Sequence, residues 1–137
     1  MKPEYMSEIG RQIAFLSAFL GGFAATFLGI LLQSSNNRRH VGWAAGAAAI
    51  ASVSFIVAVI AGTIVALVVH PDAPANVAKS TFLPQVRGVI FVTFTMGIYG
   101  ILLSLGLSGW IRSRALGITT STAAFLAAIL ISLFVKW

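Results

Sequence analysis

Four long apolar stretches, at about residues 9–32, 41–69, 86–111 and 115–135, alternate with short polar segments. A helix rises 1.5 Å per residue, so roughly 20 residues cross a hydrocarbon core of ~30 Å. Each stretch has that length. None shows the period-two alternation of a barrel strand, and four spans do not close a barrel. The pattern predicts an all-α integral membrane protein, with four transmembrane helices in an antiparallel bundle and one domain over residues 1–137.

The connections divide the chain the same way. Residues 33–40 (QSSNNRRH) form a polar turn ending in Arg38, Arg39 and His40. Residues 70–85 contain Pro71, Pro74 and Pro84 and read as an irregular loop that restarts a helix near Pro84. Arg112–Arg114 is a three-residue hairpin, which makes spans three and four antiparallel neighbours. Trp43, Trp110 and Trp137 fall at span ends, where indole rings prefer the membrane interface. The first stretch is too long for a signal-peptide core of about 7–15 residues and lacks a convincing cleavage site. It is expected to be a retained span.

Composition agrees. The chain is 58% hydrophobic and 9% charged, against about a quarter charged in soluble domains. A water-soluble globular protein and a disordered chain are both excluded. With no cysteine, disulfides, thiolate nucleophiles and Cys-ligated metal are excluded too.

The formal charge of +6 would point to nucleic acid in a soluble domain. In a membrane protein, basic loops that set topology and touch anionic headgroups explain it first. Loops one and three hold Arg38, Arg39, Arg112 and Arg114. The side bearing the termini holds Lys2, Arg11, Lys79, Arg87 and Lys136, with Glu4, Glu8 and Asp72. Raw counts barely differ, but loops one and three are compact and purely basic, so they are expected to be cytoplasmic. The expected location is a bacterial inner membrane.

Helical rotation separates two faces on span one. Phe15, Phe19, Phe23 and Phe27 form an aromatic ridge, while Ala14, Ala18, Gly21, Ala25 and Gly29 gather well over 90° away. Small residues let backbones approach where lipid removes the hydrophobic drive, so that face is expected to pack helices. Span two repeats the theme with Gly42/Gly46 and Ala58, Gly62 and Ala66. Span four does so with Gly117/Ser121 and Ala124, Ala128 and Ser132.

On span three, Thr93, Gly97, Gly100, Ser104 and Ser108 fall within a stripe roughly 80° wide. Such a line either borders a water path in a symmetric oligomer or forms a packing seam whose hydroxyls bond back to the preceding turn. Tyr99, near mid-span, needs a partner for its hydroxyl, and a Ser or Thr of a neighbouring helix suffices.

No ionisable residue lies mid-span, which argues against proton coupling and voltage sensing. The three carboxylates flank the spans, and His40 and His70 sit in loops on opposite membrane faces. No acid–base pair, metal site or cofactor is expected, and no catalysis.

Two functions remain. The expected one is a homo-oligomeric pore or ion channel, its span-three stripe lining the path. Its arginines would gather into a patch for an anionic ligand (a nucleotide or oligonucleotide) or an acidic protein. The second is a non-catalytic accessory subunit of a larger membrane complex. A solute carrier is less favoured, since inverted repeats and interrupted helices are lacking.

Overall fold

The structure, a computed structural model, describes residues 3–33, 39–70 and 83–135. Its helices are α1 (Pro3–Gln33), α2 (Arg39–Val68), α3 (Leu83–Arg112) and α4 (Arg114–Val135). All four are long and apolar enough to cross a membrane. The expected spans fall inside them, with ends shifted by a few residues. The largest shift is at α1, which starts six residues early. Proline suits a first helical turn, and Glu8 gives the added turns partners in Arg11 and Gln12.

The α3–α4 connection is tighter than a three-residue hairpin, because Ser113 alone separates the helices. Its hydroxyl accepts a hydrogen bond from the Leu116 amide at 3.2 Å and so caps α4. Residues 34–38 and 71–82, which include Arg38, Pro71 and Pro74, lie outside the described residues, as does Trp137.

Packing follows chain order. Helix α1 lies on α2, α2 on α3, and α3 on α4. As α1 ascends from Gly10 through Gly21 to Leu31, its neighbours on α2 descend from Gly62 through Phe55 to Ala44 and Ala45. Along α2 the partners on α3 descend likewise, Ala51 meeting Gly100 and Phe55 meeting Gly97. The residues of α1 and α2, and of α2 and α3, thus meet in reversed order.

A closed four-helix arrangement would also bring α1 against α4, but α4 rests almost wholly on α3. Among the described residues the helices form an open row with α2 and α3 inside it. The core follows α2's small residues and one ring: Ala44, Ala48, Ala51 and Ala58, with Phe55, are all essentially inaccessible. Outward faces carry Phe15, Phe19, Ile50, Ile56, Leu126 and Leu130, all exposed. So extensive an apolar surface is foreign to a soluble monomer.

Candidate functional site

The buried line on α1 is Gly10, Ser17, Ala24 and Leu31, spaced by seven as in left-handed helix pairs. The small-residue face read from sequence is therefore divided. Ala14 meets Gly62, and a methyl group on Gly21 would fall 3.1 Å from Phe55 Cβ. Ala18 and Ala25 are exposed, and the space beside Gly22 and Gly29 is open. Three of the four ridge phenylalanines (Phe15, Phe19 and Phe23) are exposed, with Phe23 stacked on Phe27.

The stripe on α3 turns towards α2. A methyl group on Gly97 would fall 2.8 Å from the Phe55 ring, and one on Gly100 would fall 3.0 Å from Ala51 Cβ. Ser104 is buried and donates to the Ala44 carbonyl at 2.8 Å. At the stripe's ends, Thr93 bonds back to Val89 and Ser108 to Leu105. The middle of the stripe is a seam between two helices of one chain. Phe55, which fills it, carries no sequence motif; its one signal is to be the lone aromatic of α2 beyond Trp43, in an alanine- and serine-rich segment.

Helix α4 is held by polar contacts. Tyr99 Oη and Ser132 Oγ lie 2.5 Å apart, which supplies the partner Tyr99 needs. Trp110 Nε1 donates to Ser121 Oγ at 2.9 Å, and Ser121 and Thr120 donate to the Gly106 carbonyl. Such bonds between membrane helices contribute about 0.6 kcal/mol each on average. Ser17 is the exception to this economy: its buried hydroxyl has no hydrogen-bond partner among the described residues.

Charge divides between the two ends of the row. Arg39 opens α2, Arg112 closes α3 and Arg114 opens α4, so the three exposed side chains share one end. None of the chain's three carboxylates lies in the segments meeting there. Arg38 belongs to the same connection but lies outside the described residues. At the opposite end Glu8 pairs with Arg11, and Arg87 is exposed. His40 and His70 stand at opposite ends of α2, about 45 Å apart along its axis by helix rise. Among the described residues no three His, Cys, Asp or Glu side chains cluster as a metal site.

Compared with protein-family models, curated proteins and solved structures, the chain matches none. Its function has to be argued from its own residues.

Proposed function

We propose that this is a multi-pass membrane protein with four antiparallel spans, acting as a non-catalytic assembly subunit of a larger membrane complex. The observation that carries the reading is the open row. Helix α4 packs almost wholly on α3, and the edge of α1 at Ala18, Gly22, Ala25 and Gly29 meets no other helix closely among the described residues. Association between membrane helices depends on close packing and polar contacts, and those open faces offer both partner-seeking edges. The proposed orientation puts Arg38, Arg39, Arg112 and Arg114 in the cytoplasm, following the positive-inside rule. Helical spans fit a bacterial inner membrane, since outer-membrane spans are barrels.

A homo-oligomeric pore is the second reading. The purely basic end favours it, because a ring of copies would multiply three or more arginines into a patch for an anionic ligand or acidic partner. Its wall would have to come from a helix other than α3, whose stripe is closed by α2. Among the described residues, exposed hydroxyls on the other helices include Thr26 on α1, Thr63 on α2, and Thr119 and Thr122 on α4.

Native mass spectrometry after gentle extraction from native membranes separates the readings. Foreign subunits in fixed ratio are the result expected for an assembly subunit. An integer multiple of 14.4 kDa, with conductance in planar bilayers, would replace that reading with the pore. A lone monomer would contradict both.

A further inference from the structure

At the end of the row opposite the arginine cluster, α1 and α3 diverge over α2 and leave a groove of about 260 Å³. Ile9 and Ile13 form one wall, Phe91 and Phe94 the other, and Val65 the floor. Arg87 stands at the mouth. It lies one turn from Phe91 and seven residues from Phe94, so the groove deepens by about 10 Å below the guanidinium. That is most of a ~15 Å leaflet.

Charge distinguishes this groove from the other apolar clefts. Glu8 is the carboxylate whose side chain is described at this end, and Arg11 and Gln12 both engage it. Arg87 makes no ion pair or hydrogen bond among the described residues, and its side chain is exposed. A guanidinium fits a phosphate by paired hydrogen bonds. An uncommitted cation at the polar end of an apolar groove therefore matches a ligand with a phosphate joined to a hydrocarbon chain.

We propose that this groove is a binding site for one anionic phospholipid, with its phosphate on Arg87 and one acyl chain between Ile13 and Phe94. The inference rests on the membrane reading above. A protein that stayed monodisperse in buffer without detergent would overturn that reading itself, independently of the site.

The test is native mass spectrometry of the purified chain in detergent micelles, titrated with phosphatidylglycerol or phosphatidylcholine of identical chains. The wild type is expected to take up its first phosphatidylglycerol about five-fold more tightly, the effect of one cation near an anionic headgroup. Arg87→Gln should erase the preference, Arg87→Lys should keep part of it, and Arg112→Gln at the opposite end should leave it intact. Equal binding of both lipids by the wild type would overturn the proposal. So would a preference that survives Arg87→Gln or is lost equally in Arg112→Gln.

Discussion

Gly109→Ala is expected to detach α4. The added methyl would fall 2.6 Å from the Leu116 carbonyl oxygen and closer still to Thr120 Oγ1. A backbone carbonyl one turn into the next helix cannot swing aside, because Ser113 alone joins the two helices. The hairpin must open, and among the described residues α3 is the one helix on which α4 packs substantially. Overpacking costs about 1–3 kcal/mol. Loss of the Trp110–Ser121 and Tyr99–Ser132 bonds adds to that by about 0.6 kcal/mol each. In a chain lacking the other two tryptophans, Trp110 emission and thermal unfolding in micelles read both effects. We expect a shifted emission and a lower midpoint. Gly22→Ala, where the space is open, should leave both unchanged or raise the midpoint slightly through helix propensity. Wild-type emission and midpoint in Gly109→Ala would refute the close approach.

Phe55→Ala should produce the largest loss of stability from a single truncation. Phe55 is fully buried where three helices meet. Its ring stands edge-on to Phe94, with centroids 6.0 Å apart, and lies over Gly97. Truncating a buried phenylalanine costs about 3–5 kcal/mol. The seam also predicts a change of sign. Gly97→Ala should destabilise the wild type, because its methyl would press on the ring, but help fill the cavity in Phe55→Ala. A double-mutant cycle should therefore show a coupling of about 1–3 kcal/mol. Additive effects would mean that the ring does not occupy the seam.

The residues that were legible in sequence are those whose role is local. Span lengths, the Arg112–Arg114 hairpin and the hydroxyl need of Tyr99 depend on near neighbours or on the bilayer alone. Faces are another matter, since periodicity shows that Thr93 to Ser108 share one side of α3 but not what lies against it. The answer depends on Phe55, about 40 residues earlier. On α1, the seven-residue spacing of Gly10, Ser17, Ala24 and Leu31 was hidden because two of the four are not conventionally apolar. Small-residue spacing points equally to Ala18 and Ala25, which the packing leaves outside. The open row itself has no sequence signature, because a helix that faces lipid and one that faces a partner are equally apolar.

On the proposed reading, α4 presents its far side to another subunit. Leu130 lies on that side and is exposed, and the chain has no native cysteine. A single Leu130→Cys variant, treated in intact native membranes with a short bifunctional thiol reagent or carrying a photoactivatable group, tests it directly. One adduct of discrete mass, containing a different protein, is the expected result. No adduct, with the cysteine freely labelled by a lipid-soluble reagent, would mean that α4 faces only lipid and would contradict the claim.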